Sequence, residues 1–152
     1  MEKLTRRFSI FILAIFLLSF MQFLRISIFG VVPNIVLATL VISIVFLNDT
    51  WHRIFLVSFA SFMLKFSASA DRDILAFFAV GLLMIVVDRY LPWQPLMNGI
   101  FLATIATVLF YLFTVASSII SLMFVLEMGY TIALVCLLYY LLTRFSLFRT
   151  GH

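Results

Sequence analysis

Charge is scarce in this chain: ten Lys and Arg and six Asp and Glu make up 11% of its 152 residues. Soluble domains carry about 25%. A fold of this size leaves much of its surface uncovered, so sixteen charges cannot clothe a water-facing exterior. They stand singly or in groups of two or three between apolar runs. Despite a formal net charge of +4, this spacing makes no basic patch and excludes nucleic acid as a partner. The one cysteine, Cys136, excludes an intrachain disulfide. His52 and His152 have no Cys or carboxylate at ligand spacing, so no metal site is assigned. Glycine, five residues in all, forms no phosphate-binding loop, and neither H-E-x-x-H nor a nucleophile elbow occurs. No catalytic residue and no cofactor is assigned. The chain reads as non-catalytic.

What it has in excess is hydrocarbon. Hydrophobic residues reach 66%, against about 45–50% in soluble domains. One small core cannot hide that surplus, which must face lipid. Lys3, Arg6 and Arg7 precede the apolar run Phe8–Leu24, an arrangement that resembles a signal peptide. The following "SFMQFLRIS" offers no small-x-small cleavage site, and 17 residues lie in the spanning range. The run is read as a retained transmembrane helix.

Charges and prolines divide the sequence into six apolar segments. They are Phe8–Leu24, Val31–Leu47, Ile54–Ala70, Ile74–Val87, Gly99–Ser117 and Ile120–Leu142. A helix needs roughly 20 residues to cross a ~30 Å hydrocarbon core. The fourth segment reaches that length only if Arg89 snorkels, extending it to about residue 90. Lipid admits only helices and closed barrels, and no alternating ten-residue strands occur. The expectation is an all-α integral membrane protein, a six-transmembrane-helix bundle forming a single domain over 1–152. Gly99–Leu142 holds one charge, Glu127, and no proline. At 44 residues it is a hairpin, with its turn placed at Val115–Ser121, where Ser117 and Ser118 can bond local backbone. A turn at Glu127–Tyr130 would leave the last helix too short.

With six crossings, Lys3, Arg6, Arg7, Arg53, Arg89, Arg144 and Arg149 fall on one side. Arg25, Arg72 and Lys65 fall on the other. The excess of positive charge puts both termini in the cytoplasm.

Five residues stand out as structural or partner-contact candidates. Pro33 and Asn34 interrupt "IFGVVPNIVLATLV" and read as the start of the second helix, where proline's missing N–H is harmless and an amide can bond free donors. Lys65 and Glu127 are charges inside apolar runs, each about 8–12 Å below one surface by helical rise. Such residues tend to be paired or functional, so an ion pair between the third and sixth helices is expected of them. A handler of lipid or peptidoglycan precursor would need extra buried arginines, and only Arg25 comes close to one. Thr104, Thr107, Tyr111, Thr114 and Ser118 form a polar stripe, with a smaller one in Ser58, Ser61 and Lys65. These stripes read as seams that let helices approach and bond across the contact. Asp71-Arg72-Asp73 reads as a solvated loop.

The order of these features resembles the MreD family of bacterial rod-shape-determining membrane proteins. The resemblance covers about residues 10–85. It rests on a first helix ending near Gln22, "PN" at Pro33-Asn34 opening an apolar helix, His52-Arg53 in a short loop, and "FASFMLKFSASADRDILAF" at Phe59–Phe77. Lys65-Phe66 stands where the family carries Asp-Leu, so the role of that acid is not transferred. The resemblance implies a scaffold subunit of the cell-wall elongation complex in the bacterial cytoplasmic membrane. Its implied partners are membrane lipids, an MreC-like protein and, through it, MreB, RodA and a class B penicillin-binding protein. MreD-like proteins are similar in fold to the substrate-binding subunits of energy-coupling-factor transporters, so a vitamin-transport subunit is the alternative.

Overall fold

The computed structural model describes residues 2–24, 34–65, 71–114 and 121–144. Among the described residues the fold is all-helical, with six helices. In chain order they are α1 (Glu2–Phe23), α2 (Ile35–Phe46), α3 (Thr50–Lys65), α4 (Asp71–Asp88), α5 (Pro95–Thr114) and α6 (Leu122–Arg144).

The boundaries differ from those that hydropathy marks, because polar residues at helix ends continue or cap the helix. In α1 the helix runs back through the charged residues to Glu2. The start of α2 moves from Val31 to Ile35, since the Asn34 Oδ1 accepts the Leu37 N–H at 3.1 Å and sets the cap. Four polar or aromatic residues ahead of Ile54 join α3. Asp71-Arg72-Asp73 is the first turn of α4 and not a loop. Pro95 opens α5, the position where proline fits best, and the Asn98 N–H reaches the Gln94 carbonyl at 3.0 Å. The last hairpin breaks where expected: α5 ends at Thr114, and Ser121 Oγ accepts the Phe124 N–H at 3.2 Å ahead of α6. Glu127–Tyr130 lies inside α6, so the alternative turn there is ruled out.

Side-chain contacts give the running directions. Gln22, at the end of α1, bonds Val36 at the start of α2. Arg53 near the start of α3 meets Asp88 at the end of α4. Phe77 early in α4 meets Phe110 late in α5, and Tyr111 near the end of α5 meets Glu127 near the start of α6. Consecutive helices therefore alternate in direction. Phe8 of α1 lies against His52 and Phe55 of α3, and Phe46 of α2 against Tyr139 of α6. The helix ends thus sort to two ends of the bundle, an Arg53 end and an Asn34 end.

At the centre lies α2, packed against each of the other five helices. Ten of its 12 residues are buried. It is apolar all round, as a helix with no outward face must be. Its 12 residues rise only about 18 Å, and its neighbours cover it along that length. Around it pack Phe11 and Ile15 of α1, Leu56 and Val57 of α3, Phe77 and Met84 of α4, Leu102 and Ala106 of α5, and Val135 of α6. Gly81 lets α3 and α4 close up: a Cβ built there would fall 2.6 Å from the Val57 Cγ1.

Among the described residues two helices, α5 and α6, are long and apolar enough to cross a membrane by length and composition. The other four fall short of that measure. The apolar part of α1 is confined to Arg7–Gln22, and α2 is brief. In α3 there are only 16 residues, and Asp71, Arg72, Asp73 and Asp88 crowd the ends of α4.

Candidate functional site

Two polar clusters interrupt the apolar bundle, one at each end. The Arg53 end is the richer. The chain leaves α2 at Leu47 in an extended conformation, with φ −96° and ψ 127°, and re-enters helix at Thr50. This short turn orients the Leu47 carbonyl toward Arg53, whose Nε donates to it. The other side of the same guanidinium lies 2.9 Å from the Asp88 carboxylate, and both side chains are nearly buried. One cation thus ties the end of α2, the start of α3 and the end of α4. Burying charge in apolar surroundings is costly unless it is paired and hydrogen-bonded, and Arg53 has both provisions.

Asp49 sits beside this knot. Its carboxylate accepts from the His52 ring and from the Trp51 N–H at 3.4 Å. The His52 bond, as the leading cause, holds the Asp49 carboxyl below its ordinary pKa despite the opposing effect of burial. Sequence spacing left His52 without a carboxylate partner. The fold corrects that, because the α2–α3 turn brings Asp49 back over the first turn of α3. His52 also lies edge-on to Phe8, with ring centroids 4.4 Å apart. Next to these, Arg89 Nη2 donates to Thr50 Oγ1 at 2.7 Å across the α3–α4 seam. Asn98, buried at the start of α5, donates to the Leu91 carbonyl at 3.4 Å, while its own Oδ1 has no partner among the described residues.

The Asn34 end holds the candidates singled out by sequence. Asn34 is the buried N-cap of α2. Gln22 completes the cap from α1: its Oε1 accepts the Val36 N–H at 3.0 Å, and its Nε2 lies 3.5 Å from Asn34 Oδ1. The first-turn donors of a buried helix need such partners. Gln22 is visible in the sequence as the place near which the first helix ends. Its role is not, because that depends on where α1 ends relative to α2. Pro33 and Arg25 lie outside the described residues.

Glu127 faces α5, and its carboxylate accepts from the Tyr111 hydroxyl. The Tyr111 ring stands edge-on to Phe124 at 5.0 Å. The structure thus gives Glu127 a hydroxyl from the adjacent helix where the sequence pointed to Lys65. Lys65 is the last residue of α3, and its side chain lies outside the described residues; α2 packs against both α3 and α6.

The hydroxyl stripes behave differently from expectation. Thr104, Thr107 and Thr114 donate to the carbonyls of Ile100, Ala103 and Phe110 at 2.8–2.9 Å. Ser58 and Ser61 do the same to Ile54 and Val57. Each hydroxyl is used four residues back within its own helix. Of the stripe only Tyr111, whose hydroxyl is too far from the backbone for such a bond, reaches across. Ser118 lies outside the described residues.

Among the described residues no group of three His, Cys, Asp or Glu converges as metal ligands would. No protein-family model, curated protein or solved structure matches the chain.

Proposed function

We propose that the chain is a multi-pass protein of the bacterial cytoplasmic membrane. In this reading all six helices lie within the bilayer, both termini are cytoplasmic, and the protein is a non-catalytic scaffold subunit of the cell-wall elongation complex. One observation carries the membrane part. Every helix except α2 presents bulky apolar side chains outward: Phe16 and Phe20 on α1, Phe62 on α3, Leu83 on α4, Leu112 on α5, Leu137 on α6. Such a girdle is costly in water and natural in lipid. Helices too short to span alone are held in the bundle by α2, which sees no lipid.

Charge supports the orientation. Arg7, Arg53, Arg89 and Arg144 belong to the Arg53 end, with exposed Trp51, Tyr90, Trp93 and Tyr140. The arginine excess is the pattern of a cytoplasmic side, and the aromatic rings suit a membrane interface. A reporter active only outside the cell, fused after His152, is expected to stay silent; a signal would overturn the orientation.

The scaffold role rests on the resemblance over residues 10–85 and on the filled centre. A transporter subunit needs an interior pocket with polar groups that orient its ligand. Here the middle of the bundle is occupied by α2, with Leu40, Val41, Ile42 and Ile44 fully packed. Purification in mild detergent is expected to bring down an MreC-like protein with the polymerase pair. Recovery of an ATPase module or a tightly bound vitamin instead would sink the scaffold reading.

A further inference from the structure

The Arg53 end holds two arginines in the same seam with opposite fates. Arg53 is committed on both sides, to Leu47 and Asp88. Arg89 is exposed and, among the described residues, its side chain donates to one partner, Thr50 Oγ1. A guanidinium has five N–H donors in a planar fork, so most of this fork faces outward. By accepting from Arg89, the Thr50 oxygen keeps its own proton for an outside acceptor. Two donors of different kinds therefore stand within one hydrogen bond of each other at this end of the bundle.

The flanking residues say what stands there. Trp51 follows Thr50 and Tyr90 follows Arg89, and they are 79% and 81% exposed. Aromatic rings of this kind settle at the headgroup level of a bilayer. Among the described residues neither nearby acid pairs with Arg89: Asp88 is joined to Arg53 and Asp49 to His52. We propose that Arg89 and Thr50, framed by Trp51 and Tyr90, form a binding site for the phosphate of an anionic phospholipid in the leaflet at the Arg53 end. The fork grips two phosphate oxygens as it would a carboxylate, the Thr50 hydroxyl supplies a third bond, and the rings pack on the glycerol region. The site rests on the membrane reading above, and its test separates the two.

The chain has two tryptophans, Trp51 and Trp93, so Trp93→Phe leaves Trp51 as sole reporter. The full-length variant is reconstituted in phosphatidylcholine vesicles containing a minority of lipid brominated near the headgroup, either phosphatidylglycerol or phosphatidylcholine. About 1 kcal/mol per basic side chain near an anionic surface corresponds to about five-fold local enrichment. Trp51 is expected to be quenched correspondingly more by brominated phosphatidylglycerol, and Arg89→Gln is expected to abolish the difference. Arg144→Gln, an exposed arginine at the same end, is expected to leave it intact. Equal quenching by the two lipids, or equal loss with Arg144→Gln, would overturn the site while leaving the membrane reading standing. No quenching of Trp51 by either brominated lipid would overturn the membrane reading itself. Circular dichroism of Arg89→Gln checks that the bundle is formed; this surface side chain is not needed to fill the core.

Discussion

Arg53 and Asp88 are joined 2.9 Å apart across the α3–α4 seam, each side chain 9% exposed, with the Arg53 Nε on the carbonyl that ends α2. Thirty-five positions separate them in the chain. They meet because α3 and α4 run antiparallel and because Gly81 lets their axes approach. The pair closes the Arg53 end of the bundle over the end of α2.

Breaking this pair is expected to be worse than deleting it. Removing one member of a buried ion pair typically costs about 3–5 kcal/mol, while replacing both with apolar residues can be near neutral. Asp88→Ala is therefore expected to lower stability by several-fold more than the double replacement Arg53→Met with Asp88→Leu. Equilibrium unfolding in mixed micelles, followed by circular dichroism, reads the difference. Equal losses would show that the pair is solvated in the native state.

Two helical glycines separate packing from propensity. Gly81→Ala drives a methyl into Val57 and is expected to cost about 1–3 kcal/mol through overpacking. At Gly129 a Cβ meets nothing within 4 Å. Gly129→Ala is therefore expected to stabilise by up to about 1 kcal/mol, the propensity difference alone. The same unfolding measurement tests both, and a destabilising Gly129→Ala would contradict the packing described.

The cap of α2 is expected to be sensitive because its donors cannot turn to water. Asn34→Ala removes the acceptor for Leu37 and should cost about 1 kcal/mol or more, with Asn34→Asp milder than Ala. Amide hydrogen exchange at Leu37 is the local readout. Unchanged protection in Asn34→Ala would mean the cap bond does not form.

Acid should loosen the α2–α3 turn. Asp49 is held below its ordinary pKa by His52, so its contribution to stability is present above the unfolded value near pH 4 and is lost as pH falls through the lower folded value. Carbon-detected NMR titration of the Asp49 carboxyl is expected to show the depressed midpoint, and His52→Phe, which keeps a ring against Phe8, should move it back up. A midpoint indifferent to that substitution would remove His52 as the cause.

Some of this architecture was legible before any coordinates. Apolar runs of helical length, punctuated by charge and proline, marked six helices, and Ser117-Ser118 marked the place of the last break. Asn34 was readable as a helix start because a short amide beside proline has few other uses in an apolar run. The helix ends were less legible, since hydropathy discards residues such as Asp71 and Thr50 that a helix terminus welcomes.

Composition and periodicity by themselves determined that the chain is helical and too apolar to be clothed by its own charges, because both follow from local backbone bonding and transfer free energy. Which helix lies at the centre, and which polar side chains find one another, was decided only in three dimensions. Glu127 could be placed at a depth by counting residues, but its partner depends on helix order and rotation about each axis. Those were set by burying α2 from every side. That burial brought Tyr111 to Glu127, Gln22 to Asn34 and Asp88 to Arg53.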